Sequence, residues 1–190
     1  MLALGAGAIC WALGGEWVSI RGHVPENHLV DVLTGLAFLA GGIVALDRRP
    51  GNSFGVLLLA FGFTWYLRNW GDGGLPWLVL LGTISGFAGP PLLAQIMLAY
   101  PTGRLRSGFD RVVVALIYAA AASACAVALL TFGAGSARGC VRCQWEPALF
   151  PTKAAYQDFA AIYVPASLAL AVLVVLAVRR RWRRATRAER

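Results

Sequence analysis

FAAIYVPASLALAVLVVLAV, residues 159–178, runs without a break into RRRWRR at 179–184. Twenty residues without a charge, at 1.5 Å rise each, make a helix of about 30 Å, the thickness of the hydrocarbon layer of a bilayer. Water offers no reason to keep twenty consecutive positions uncharged, and five arginines within the next six residues form a strong stop at a headgroup layer. The segment therefore reads as a membrane span with its carboxyl end anchored.

Working back from it, the 190-residue chain is apolar at 58% of positions and charged at 14%. Soluble domains carry roughly 45–50% and about 25%. The mean hydropathy is +0.66. Such a composition excludes an ordinary soluble enzyme, a disordered tail and a disulfide-dense secreted module. Six stretches reach span length: residues 1–20, 29–46, 53–70, 75–100, 112–132 and 159–178. The expected fold is all-α, a polytopic membrane protein of six transmembrane helices. Residues 1–178 form the membrane domain and 179–190 a basic linker. The amino terminus lacks a positive n-region, and Gly14-Gly15-Glu16-Trp17 is a poor cleavage site, so the first stretch is expected to be an uncleaved span.

The net charge of +8 does not imply nucleic acid, because the arginines fall in clusters between apolar runs rather than along one face. Twelve basic residues fall on one side of a six-span layout: Arg48, Arg49, Arg104, Arg106, Arg111 and seven arginines of the tail. Five fall on the other: Arg21, Arg68, Arg138, Arg142 and Lys153. The positive-inside rule then puts both termini in the cytoplasm. Five of the seven tryptophans, Trp17, Trp65, Trp70, Trp77 and Trp145, fall near the opposite, outer ends. That excess leaves room for an outward-facing aromatic pocket.

Chemistry-bearing residues are few. Cys140 and Cys143 form a CxxC in the longest outer loop. Three readings stand: a disulfide that rigidifies the loop, a redox pair activated by Arg138 and Arg142, or half of a zinc site completed by His23 and His28. Cys10 and Cys125 lie inside apolar stretches, as small packing residues do. Asp31 fits the first turn of the second helix, where the dipole favours an anion, and Glu16 has Arg21 or Arg68 as partners. A sharper reading groups Glu16, Asp31, His23 and His28 into an outer cluster that senses a cation or pH. In the fourth stretch, Gly82 and Gly86 permit close helix approach, Pro90 and Pro91 remove backbone donors and are expected to kink the helix as a hinge, and Gln95, a further candidate sensing residue, needs a partner in a neighbouring helix or water. Pro101, Gly103 and Arg104 belong to a turn, as do Pro50 and Gly51. No phosphate-binding loop, metalloprotease or nucleophile-elbow motif occurs, so neither enzyme activity nor a cofactor is expected.

Arg49-Pro50-Gly51-Asn52-x-x-Gly55, Tyr100-Pro101-Thr102-Gly103-Arg104-Leu105, the outer Cys140-x-x-Cys143 and a last span entering Arg179–Arg184 together resemble the amino-terminal membrane modules of actinobacterial-type sensor histidine kinases. The resemblance covers about residues 30–190. It implies a bacterial plasma membrane, a homodimer, and a phosphoacceptor helix and ATP-binding domain joined after the basic segment. Neither region occurs in these 190 residues, so the chain itself is not expected to be a kinase. The expected function is the input module of a two-component sensor, its last helix relaying an extracytoplasmic or intramembrane signal. The alternative is a membrane thiol oxidoreductase using Cys140 and Cys143 with a quinone. The expected partners are the lipid bilayer, a second copy of the chain and the kinase core in cis, with no nucleic acid.

Overall fold

The computed structural model describes residues 7, 8, 10–15, 17, 28–70, 76–131 and 153–188. All five complete elements are helices: α1 His28–Arg48, α2 Ser53–Trp70, α3 Pro76–Ala99, α4 Gly108–Thr131 and α5 Lys153–Ala188. No strand occurs among the described residues. Helices α1 to α4 each pack on the next, and α5 returns against α4 and touches α3. Residues 7, 8, 10–15 and 17 are helical too and lie against α1 and α2, with Ala8 and Ala12 buried beside Leu39 and Tyr66. Four helices are long and apolar enough to cross a membrane: Leu29–Arg48, Trp77–Ala99, Gly108–Leu130 and Gln157–Arg180. Helix α2 has the bounds read from the sequence but carries Arg68 and Asn69 in its last turn, and it is not one of the four.

Helices α1 and α2 are antiparallel, because Leu39 meets Gly62 and Gly42 meets Leu59 and Gly55, while Leu46 also meets Gly55. Their close approach depends on glycines spaced seven residues apart, Gly35 and Gly42 on α1 and Gly55 and Gly62 on α2. A methyl on Gly42 would lie 2.7 Å from Leu59 Cγ and 3.0 Å from the Gly55 carbonyl oxygen, and one on Gly62 would lie 2.7 Å from Leu39 Cγ. With no hydrophobic drive between helices in lipid, dense backbone packing of this kind is a main source of association. The tight approach therefore falls between α1 and α2. At Gly86 of α3 a methyl would meet only the stem of Arg68 at 3.7 Å, an ordinary contact. Gly42→Ala is expected to destabilise the fold by about 2 kcal/mol. Gly89→Ala, with nothing within 4 Å of the added methyl, should leave stability unchanged or slightly raised. Denaturation in micelles followed by circular dichroism separates the two; equal effects would overturn this packing assignment.

The ends of the bundle differ. One, here the basic end, carries the two turns 49–52 and 100–107 and the exposed Arg48, Arg49, Arg104, Arg106 and Arg111. Close to it Ala94, Leu98, Val113, Val114, Val174 and Ala177 form an apolar core. The other, aromatic end carries Trp65, Tyr66 and Trp70. Helix α3 remains helical through Pro90 and Pro91, with Pro91 fully buried. Helix α5 also contains Pro165 and touches the core only through Leu173, Val174, Ala177 and Val178. Its remaining length presents Ile162, Val164, Leu168 and Val172 outward, a surface suited to lipid and not to water.

Candidate functional site

The aromatic end holds a polar lattice between α1 and α2. Asp31, in the first turn of α1, accepts from Arg68 Nη2 at 3.1 Å on one carboxylate oxygen and from Asn69 Nδ2 at 2.8 Å on the other. The Arg68 guanidinium lies 4.8 Å from the centre of the Trp65 ring, a cation–π distance. Trp65 Nε1 donates to the Asp31 carbonyl at 3.1 Å, and Tyr66 Oη donates to the Val32 carbonyl at 2.7 Å. The first turn of α1 is thus held by its backbone as well as by its acid. Tyr66 is completely buried and Asn69 nearly so.

The depth of this lattice matters. Arg68 lies beside Gly86, thirteen residues from the end of α3 at Ala99. At 1.5 Å per residue that is about 20 Å from the basic end, within the reach of a hydrocarbon layer about 30 Å thick. An ionisable group at such depth is costly unless it is paired, and pairs of this kind recur at functional positions. Arg68 and Asp31 remain partly accessible, their side chains 42% and 21% exposed.

The aromatic side chains around the lattice join helices. Trp11 Nε1 donates to the Phe63 carbonyl at 3.2 Å, and Trp70 Nε1 donates to the Trp11 carbonyl at 3.3 Å. The Trp11 and Trp70 rings lie 5.3 Å apart. Nearer the basic end, Gln95 finds its neighbour-helix partner in Tyr118 of α4, whose hydroxyl donates to Gln95 Oε1 at 2.9 Å.

At the basic end the two turns form a joint. Asn52 Nδ2 donates to the Pro101 carbonyl at 2.9 Å, while Asn52 Oδ1 accepts from the Phe54 N–H at 3.0 Å and so caps α2. Gly103 has φ of +74° and donates its N–H to the Ala99 carbonyl at 2.8 Å, closing the end of α3. Its α-carbon is pressed on the start of α2: an added Cβ would come 2.2 Å from Phe54 N and 2.5 Å from Ser53 C. Phe54 and Tyr100 add an edge-to-face ring contact with centroids 5.4 Å apart. Tyr100, Pro101 and Gly103 are therefore one half of an interlocked pair whose other half is Asn52 to Phe54, and Arg104 follows them exposed.

Of the sequence-derived candidates, Asp31 pairs with Arg68 and Gln95 with Tyr118. Glu16, His23, Cys140 and Cys143 lie outside the described residues, and of His28 only its place as first residue of α1 is described. The disulfide, redox and zinc readings therefore rest on sequence alone. Among the described residues no group of three or more His, Cys, Asp or Glu is arranged to hold a metal. Cys10 is exposed and Cys125 half-buried, both as free thiols. Sequence reasoning missed Asn69 as the second donor to Asp31 and Asn52 as the hub of the joint. The second was accessible, since Asn two residues ahead of Phe54 at the start of an apolar run is a helix-cap signature. No protein-family model, curated protein or solved structure matches the chain.

Proposed function

We propose that this chain is the membrane-embedded input module of a two-component signalling protein in a bacterial plasma membrane. It crosses the membrane six times as a homodimer, with both termini in the cytoplasm and a kinase core joined beyond the basic segment. One observation carries the reading. Helix α5 is a single rod of 36 residues, Lys153–Ala188, that leaves an apolar span and continues through Arg179–Arg184 without a break. A rod that joins the apolar core through Leu173, Val174, Ala177 and Val178, near the basic end, can pass tilt, rotation or piston movement along its axis. The signal acts by differential affinity. A stimulus that favours one of two helix packings, through the Asp31–Arg68–Asn69 lattice or through α3, shifts the population and moves α5 with it.

The reading frame downstream of Arg190 tests the proposal directly. A phosphoacceptor helix and nucleotide-binding region are expected there, and a stop codon followed by redox or transport genes would overturn it. Sidedness is tested by thiol labelling of intact cells. After reduction, Cys140 and Cys143 should react from outside, whereas Arg104→Cys should react only after permeabilisation. Arg104 is the suitable probe because it is exposed, whereas the Thr102 hydroxyl is buried in the joint. Labelling of Arg104→Cys from outside would invert the topology and overturn the relay.

A further inference from the structure

We infer that the two turns at the basic end form a latch with a closed and an open state, and that anionic phosphate headgroups around it hold it closed. This places the bistable element which the sensor reading needs, and it rests on that reading for its purpose alone.

Two opposing sets of features lead there. Closure is specific: the Asn52 amide on the Pro101 carbonyl, the Asn52 cap on Phe54, the Phe54–Tyr100 ring contact, and Gly103 fitted against Ser53 and Phe54 with no room for a Cβ. Yet the closed form has a built-in cost. Thr102 Oγ1 is buried without a hydrogen-bond partner, the one such side-chain atom among the described residues. A buried hydroxyl with no partner loses its bonds to water and gains nothing in return, and separation of the turns restores them.

Charge adds to that cost. Arg48 and Arg49 stand at the start of one turn and Arg104 and Arg106 lie within the other, with Arg111 one turn into α4; all five are exposed. The acids nearby are Asp47, exposed on the last turn of α1, and Asp110, which accepts from the Ser107 N–H and caps α4. Bringing the turns together concentrates like charge, a repulsion that phosphate groups at the membrane surface neutralise. Headgroup charge is therefore coupled to closure, and the coupling is reciprocal.

Hydrogen–deuterium exchange of the full chain in nanodiscs tests this. Replacing a neutral phosphatidylcholine bilayer by one with a third phosphatidylglycerol is expected to slow exchange roughly tenfold in both turns together, 49–54 and 100–104. Thr102→Val, which keeps the shape and removes the hydroxyl, should slow both turns about tenfold in neutral lipid. Asn52→Ala should speed exchange in 100–104, the opposite turn, as well as in its own. Three results would overturn the latch: Asn52→Ala acting only on residues 53–55, as a lost helix cap would; Thr102→Val changing nothing in 49–54; or no response to lipid charge. Inorganic phosphate at millimolar concentration in neutral nanodiscs should have no effect, and an equal effect would overturn headgroups as the source. These readouts involve no downstream output. A latch that behaves as stated in a chain without a kinase core would leave it standing while the sensor reading fails.

Discussion

Gly103→Ala is expected to lower the unfolding free energy by about 3 kcal/mol, measured by denaturant titration in micelles with helical circular dichroism as the signal. Two terms add. A side chain in the left-handed region costs roughly 1–2 kcal/mol relative to glycine, and Gly103 sits there with φ of +74°. The added methyl must also displace the start of α2, since its carbon would come 2.2 Å from Phe54 N. Overpacking against backbone costs about 1–3 kcal/mol, because neither partner can rotate away. Gly103→Asn separates the terms. Asparagine adopts the left-handed region more easily than other non-glycine residues, so it should recover about 1 kcal/mol and leave the steric term intact. A Gly103→Ala protein as stable as the parent would mean that the two turns are not in contact. The joint, the latch built on it and the pairing of the two motifs would then fall together.

That joint also marks where sequence reading stops. The extent of helix α2 was legible, since the apolar run gives 53 to about 70 from sequence and Ser53–Trp70 in the structure, although it is not among the four helices apolar enough to cross a membrane. Helix α4 starts at Gly108, ahead of the apolar run at 112, because Ser107 and Asp110 cap it reciprocally: the Asp110 N–H donates to Ser107 Oγ at 2.9 Å and the Ser107 N–H to Asp110 Oδ2 at 3.4 Å. Hydropathy passes over such a polar first turn. Helix α5 exceeds its apolar stretch at both ends, since arginine and alanine are strong helix formers whether or not lipid surrounds them. Pro90 and Pro91 do not end α3, because a helix in or near lipid keeps its remaining backbone bonds at almost any cost. The pairings were less legible. Arg68 was available to Glu16 as much as to Asp31, and only the register of α1 on α2, set by Gly42 against Leu59 and Gly55, brings Asp31 beside it. Likewise Asn52 and Pro101 lie 49 residues apart, and neither motif contains a sign that the other is its partner.

The second large effect belongs to that register-dependent pair. Asp31→Ala is expected to cost about 2 kcal/mol in the same denaturation assay. Removing one member of a fully buried pair costs about 3–5 kcal/mol, and the partial exposure of both side chains, 42% and 21%, lowers the figure. The loss has three sources: Arg68 keeps its depth in the bundle without this carboxylate, Asn69 Nδ2 loses the Asp31 bond, and α1 loses an anion from its first turn. Arg68→Leu alone should cost a similar amount, as it leaves the carboxylate at that depth with Asn69. The double variant should then be more stable than the sum of the two single losses by about 1–2 kcal/mol, since residues in contact couple by that order. Additive losses would mean that the 3.1 Å contact contributes nothing as a pair. The double variant also separates structure from signalling. With Asp31 and Arg68 both replaced by apolar side chains, the packing of α1 on α2 through its glycines persists while the charge lattice is gone. If the chain is the proposed input module, a folded double variant that no longer signals would assign the lattice to sensing, and one that signals unchanged would confine it to holding α1 in register.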